Sequence, residues 1–156
     1  VFFLSLLIFH PLQWLGLKLF GYKGHQFVVD YMNWFLSKTL LILGVVVKVD
    51  NQHKLPEDCS LIFVSNHQSM FDISPISWAF RKHQPKFVSK KELGKGIPSI
   101  SFNLKHGGAA LIDRKDSKQA ISALMEFAKR IKNNKWGAVI FRKEQEVEMV
   151  SLRNLP

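Results

Sequence analysis

Cysteine and acidic residues are both scarce in this chain. The one cysteine, Cys59, cannot close an internal disulfide, and no Cys/His cluster has zinc spacing, so a small stapled secreted scaffold is excluded. Asp+Glu number 12 against 22 Lys+Arg, a formal +10. Such a surface attracts nucleic acid, an acidic membrane face or phosphorylated substrates, and charge alone does not choose among them. No zinc-finger or RNA-recognition signature accompanies the lysines, which are spread over several elements, so a nucleic-acid partner is not expected. Low-complexity segments and internal repeats are absent too. With 47% hydrophobic and 22% charged residues in 156, the chain suits one domain with a real core plus a short appendage. It begins at Val1 and stops at Pro156 without a closing element, so an incomplete polypeptide is expected.

Charge is thinnest at the N-terminus. Residues 1–47 hold only Lys18, Lys23, Asp30 and Lys38, a net +2, which leaves +8 of the +10 on residues 48–156. Residues 1–9 are almost purely apolar, residues 12–20 continue the trend after Pro11, and residues 31–47 form a second greasy stretch around Ser37-Lys38. A clean membrane span needs about 20 apolar residues, and Pro11, Lys18 and Lys38 interrupt both stretches. Trp14, Trp34, Tyr22 and Tyr31 suit a headgroup boundary, with lysine side chains snorkelling outward. The expectation is a hydrophobic helical hairpin over 1–47 that dips into one leaflet or lies along it. A buried helical pair is the alternative.

From Lys48 the pattern becomes α/β. Short apolar runs at 61–65, 86–89, 109–112 and 137–141 read as strands. Between the last two lies a helix capped by Asp116 or Ser117, with Ile121, Leu124, Met125, Ala128 and Ile131 on one stripe and Lys129, Arg130 and Lys132 at its end. Strands separated by helices imply a largely parallel sheet covered by helices on both faces.

The segment Val-Ser-Asn-His-Gln-Ser-Met-Phe-Asp at 64–72 holds the candidate chemistry. An apolar strand ends, and His67 and Asp72 follow at the edge where open α/β sheets bind ligands. A neutral imidazole can accept a proton at physiological pH, and a carboxylate on its other nitrogen fixes the tautomer. Five positions along a regular helix turn two side chains about 140° apart, so the pair meets only if His67 precedes the helix or sits in its entry turn. Otherwise Asp72 merely caps the helix through Ile73 and Pro75 while His67 is exposed. Ser65 or Ser69 could complete a serine triad, but no nucleophile-elbow glycines flank either.

Asn66-His67-Gln68-Ser69 followed by Asp72 resembles the N-H-x4-D block of the glycerolipid acyltransferases, especially the 1-acylglycerol-3-phosphate acyltransferases. Phe-Val-Ser-Lys-Lys-Glu-Leu at 87–93, with Pro98 beyond, is similar to the family's K-x-E-L…P segment, and Gly-Ala-Ala-Leu-Ile-Asp-Arg at 108–114 to its G-x-x-F-I-D-R block. Three blocks in order, spread over residues 49–141 with the hairpin before them, make the signal specific. The resemblance implies acyl transfer from acyl-CoA or acyl-carrier protein to the sn-2 hydroxyl of lysophosphatidic acid, giving phosphatidic acid in phospholipid biosynthesis. It implies His67 as general base and Asp72 as its orienting carboxylate. Arg114 would hold the substrate phosphate, where a planar bidentate donor outperforms lysine, with Lys90 a second candidate and Gly108 contributing to the substrate site or permitting a tight turn. The alternative for Arg114 is a surface salt bridge to Asp113 or Asp116. The resemblance implies no metal or organic cofactor. It implies a membrane-associated protein whose active site faces the cytoplasm, with membrane lipids, lysophosphatidic acid and the acyl donor as partners.

The family's next block, F-P-E-G-T-R, should follow the strand at 139–141, yet the chain reads Phe-Arg-Lys-Glu-Gln-Glu-Val-Glu-Met-Val over 141–150. Among the codon sets compatible with these residues is TTC CGG AAG GAA CAA GAA GTA GAG ATG GTN. One C restored after the phenylalanine codon gives TTC CCG GAA GGA ACA AGA AGT AGA GAT GGT, or F-P-E-G-T-R-S-R-D-G. Residues 142–156 are therefore expected to be a frameshifted, non-native tail on an acyltransferase domain of residues 48–156. Glu144, Glu146 and Glu148 fall close to where the block's arginine belongs. Like charge beside a phosphate costs on the order of a few kcal/mol at contact, so impaired activity is expected of the chain as written. A noncatalytic basic module binding anionic membranes is the alternative from another class. It needs only the hairpin and the positive surface, and His67→Ala would change nothing in it.

Overall fold

The computed structural model describes residues 2–50 and 55–142. The first element, α1 (Phe2–Thr39), is a helix broken at Gly21, whose φ of 64° and ψ of −152° turn the chain back on itself. The bend falls at Gly21 rather than at Pro11, because a left-handed φ is open to glycine and costly for L side chains. The arms, residues 2–20 and 22–39, cross where Gly16 meets Gly24. A Cβ on Gly16 would stand 2.9 Å from the Gly24 carbonyl oxygen, so the glycine pair sets this close approach. Leu6 of one arm packs on Met32 and Leu36 of the other, against Ile97 and Ile100 of the domain. Gln13, fully buried, donates from Nε2 to Ser99 Oγ at 2.7 Å and pins the hairpin to the domain.

The domain carries β1 (Leu61–Asn66), α2 (Ile73–Ala79), β2 (Lys86–Lys90), α3 (Pro98–His106), β3 (Ala110–Ile112), α4 (Ser117–Asn134) and β4 (Gly137–Arg142). The four strands form one parallel sheet in the order β1-β4-β2-β3. It is an α/β fold with flanking helices behind a long apolar N-terminal helix. The strands fall within a residue of the apolar runs, and Asp116 caps α4 by accepting from the Gln119 N–H at 3.0 Å. The expected tail begins at Arg142, which ends β4; residues 143–156, with Glu144, Glu146 and Glu148, lie outside the described residues.

Two expectations are corrected. The core face of α4 is Phe127 and Ile131, packed on Ala110 and Ala138, whereas Ile121 and Met125 are each 60% exposed. At 100° per residue the apolar stripe is centred roughly 80° or more round the helix from Phe127, so it overhangs the contact. The second concerns sheet coverage. Ile62 and Val64 of β1 pair with Ala138 and Ile140 of β4, which puts them on the face that α4 covers over β2 and β3. They remain 68% and 70% exposed. Among the described residues no helix covers that half of the face, because α4 sits on the β3 side. The opposite face meets the hairpin, α2 and α3.

Candidate active site

β1 ends at Asn66, and the chain turns through His67 and Gln68 into a single 3-10 turn, Met70–Asp72, before α2 starts. Ser69 starts this turn, its Oγ accepting from the Phe71 N–H at 3.2 Å. Asp72 points backwards. Its Oδ2 accepts from the N–H groups of Gln68 and Ser69, both at 2.9 Å, and lies 3.3 Å from His67 Nδ1. Asp72 stands at the N-cap of α2 but makes no side-chain cap bond to it. The entry turn thus removes the angular problem of a five-residue helical spacing. The carboxylate serves turn and imidazole together. The Nδ1 contact is at the long end for a hydrogen bond, as catalytic contacts often are before substrate binds. Neither serine hydroxyl reaches His67, since Ser65 Oγ donates to the Asn66 carbonyl at 3.0 Å and Ser69 is taken up in the cap.

The imidazole is 38% exposed, open to solvent on the wall of a largely apolar cavity. One face stacks on Phe141, centroids 4.1 Å apart and planes 22° apart, and Phe87 backs Phe141 at 5.7 Å. The cavity, about 230 Å³, lies between the hairpin, α2, α3 and the sheet, with Leu6, Leu36, Ile73, Phe87 and Ile100 in its walls.

Lys86 is also in that wall and only 5% exposed. Its Nζ donates to Gln26 Oε1 at 2.7 Å and sits over the rings of Trp136 (4.9 Å) and Tyr22 (5.3 Å). Gln26 Nε2 in turn donates to Asp30 at 2.8 Å. Burial pushes the Lys86 amine down to about 7, a drop that the nearby Asp30 partly opposes. Lys86 pairs in register with Ala138, three residues before Phe141. The amine's strand position is therefore roughly 10 Å along the sheet from the imidazole. Nothing in the sequence motifs indicated this network. The available signal was Tyr22, Gln26 and Asp30 at four-residue spacing, one polar face in an otherwise greasy helix.

Arg114 follows β3, exposed and without an ion pair among the described residues, so the salt bridge to Asp113 or Asp116 does not form. Asp113 pairs instead with Lys91 at 3.8 Å. Gln119 brackets the strand end, its Oε1 accepting from the Asp113 N–H at 2.7 Å and its Nε2 donating to the Leu111 carbonyl at 3.0 Å. Lys90 pairs in register with Ile112 and is exposed beside this loop. Both cations are on the same sheet edge as His67. With β4 and β2 intervening, Arg114 is roughly 14 Å across from β1 by strand spacing. Gly108 is at the other edge, before β3. Its φ of 92° and the Trp136 ring, 2.9 Å from where a Cβ would stand, both require glycine there. The structure therefore brings His67 and Asp72 together, gathers Arg114 and Lys90 along the same edge, and leaves Gly108 beside Lys86.

Among the described residues no three His, Cys, Asp or Glu side chains are grouped to hold a metal ion. Such an arrangement, an open imidazole with a carboxylate behind it at the lip of an apolar cavity, is equipped for proton abstraction from a hydroxyl. A family model described as Acyltransferase matches residues 46–142, more than half of the chain, and the hairpin precedes it. No solved structure matches the chain.

Proposed function

Because the chain belongs to the acyltransferase family, we propose that it transfers an acyl group from acyl-CoA or acyl-carrier protein to the sn-2 hydroxyl of lysophosphatidic acid. The observation that carries this reading is the His67–Asp72 pair, with the carboxylate 3.3 Å from Nδ1 and the imidazole exposed on the wall of an apolar cavity. Nε2 takes the hydroxyl proton as the oxygen attacks the thioester carbonyl. The tetrahedral intermediate expels the thiolate, which recovers that proton from the imidazolium. Asp72 balances the imidazolium charge while it lasts. A positioned base of this kind contributes roughly 10²–10⁴-fold. The cavity wall suits the apolar chain, while Arg114 and Lys90 on the same edge suit the acceptor's phosphate. The chemistry of the chain's own residues needs no metal or organic cofactor.

The hairpin is long and apolar enough to cross a membrane, with only 22% of its most apolar window buried. We read it as attachment to the leaflet that holds the lipid acceptor, on the cytoplasmic side where a soluble donor is available. The same exposure would serve a noncatalytic membrane module, which predicts no effect of His67→Ala.

Residues 142–156 are read as a shifted frame, so the chain as written is expected to be impaired. Two experiments test this. Sequencing the coding DNA around Phe141 must return codons compatible with a lost C. Assay of the chain with acyl-CoA and lysophosphatidic acid, beside a frame-restored chain, must give a faster rate for the restored one. Incompatible codons or equal rates contradict it.

A further inference from the structure

We infer that Phe141 is a positioning residue for His67: its ring fixes the plane of the imidazole so that Nδ1 stays on Asp72 and Nε2 is left to take the proton. The inference rests on reading His67 as the base. Asp72 alone is a loose guide, because its Oδ2 is 3.3 Å from Nδ1 and already accepts two backbone N–H groups. An imidazole 38% exposed, on a loop and held only at one edge, is free to swing about its χ2 bond.

The Phe141 ring supplies the missing wall. It lies nearly parallel to the imidazole, 4.1 Å between centroids, and is itself backed by Phe87. Both phenylalanines come from paired strands inside the sheet, β4 and β2, and Phe141 is in register with Ser65, two residues before His67. A site built on strands holds its geometry more tightly than one built on loops. The stack also favours the reaction's charged state, because the face of an aromatic ring attracts a cation. The contact therefore strengthens when the imidazole takes its proton, which is the differential interaction that catalysis needs.

The test uses the chain as it exists, solubilised in micelles and labelled with nitrogen-15 at histidine. Long-range proton–nitrogen spectra are recorded where the His67 ring is neutral. In the parent chain the His67 ring protons are expected upfield, shifted by the Phe141 ring current, with Nδ1–H the dominant tautomer. Phe141→Leu is expected to lose the upfield shift and move the tautomer ratio toward that of free histidine, while Phe141→Tyr keeps both. An unshifted His67 in the parent overturns the inference even if the leucine variant does not fold, and so does a leucine variant that keeps the parental ratio. In the frame-restored chain Phe141→Leu is expected to lower kcat with KM unchanged. A frame-restored chain that shows the stack and its tautomer but transfers no acyl group keeps the positioning role of Phe141 and loses the acyl-transfer reading.

Discussion

Asp72 holds two jobs with one oxygen, and that sets what its removal does. Asp72→Asn keeps an acceptor for the Gln68 and Ser69 N–H groups but removes the charge beside His67 Nδ1. The expected outcome in a frame-restored chain is little change in stability, within about 1 kcal/mol, with transfer reduced by roughly 10²-fold or more. Thermal unfolding and rate, measured on the same preparation, check it; a variant that unfolds while keeping its specific activity would show the carboxylate to be only a cap. His67 and Asp72 were legible in the sequence because strand end, spacing and residue type all converge on one short segment. Phe141 was not, since its approach to His67 depends on β4 crossing back to pair with β1, and no local pattern encodes that pairing. Gly108 is legible as a required glycine, but only the strand direction shows that it stands at the far edge from His67.

At the scale of elements, the hairpin and α4 show where periodicity succeeds and where it misleads. The helix over residues 117–134 is plain in its cap and apolar repeat, yet the repeat points partly off the sheet, because strand order decides which arc of the helix is covered. Where the arms of α1 cross, Gly24→Ala would bring a Cβ within 2.6 Å of the Phe20 Cβ. Overpacking of this kind costs roughly 1–3 kcal/mol, seen as a lower unfolding midpoint, and an unchanged midpoint would mean that the arms do not meet there.

Lys86 of β2, bonded to Gln26 of the hairpin, gives the fold a pH signature. Its folded value of about 7 lies below the ordinary lysine value of 10.5, chiefly through burial and against the opposing pull of Asp30. Between these values the unfolded chain binds more protons than the folded one, so stability rises with pH across roughly 7 to 10. The penalty is present in full below the folded value and is relieved as pH climbs. Above pH 10 the Tyr22 phenol, raised by burial and then by Asp30, acts in the opposite sense. Lys86→Met is expected to flatten the rise between pH 7 and 10 in denaturant titrations. A slope that survives the substitution would place its origin elsewhere.

At the scale of the whole molecule, exposed apolar side chains and positive charge adjoin at the bend of the hairpin, as the proposed membrane attachment requires. Leu19 and Phe20, at the bend of the hairpin, are 61% and 74% exposed, with Lys18 and Lys23 beside them. Vesicles containing anionic lipid are expected to bind the chain, shift its tryptophan emission to the blue and release it partly as salt rises. Phe20→Asp should weaken binding by at least about 2 kcal/mol, the worth of one buried aromatic side chain. Equal partitioning of the two proteins would remove the bend from the contact.

The central claim is that the imidazole at the end of β1 strips a proton from a lipid alcohol. It is tested most directly by incubating labelled acyl-CoA and lysophosphatidic acid with the frame-restored chain and with its His67→Ala variant. Label is expected in phosphatidic acid for the first, with the rate reduced by roughly 10²-fold or more in the second. Equal transfer by the two proteins would contradict the account.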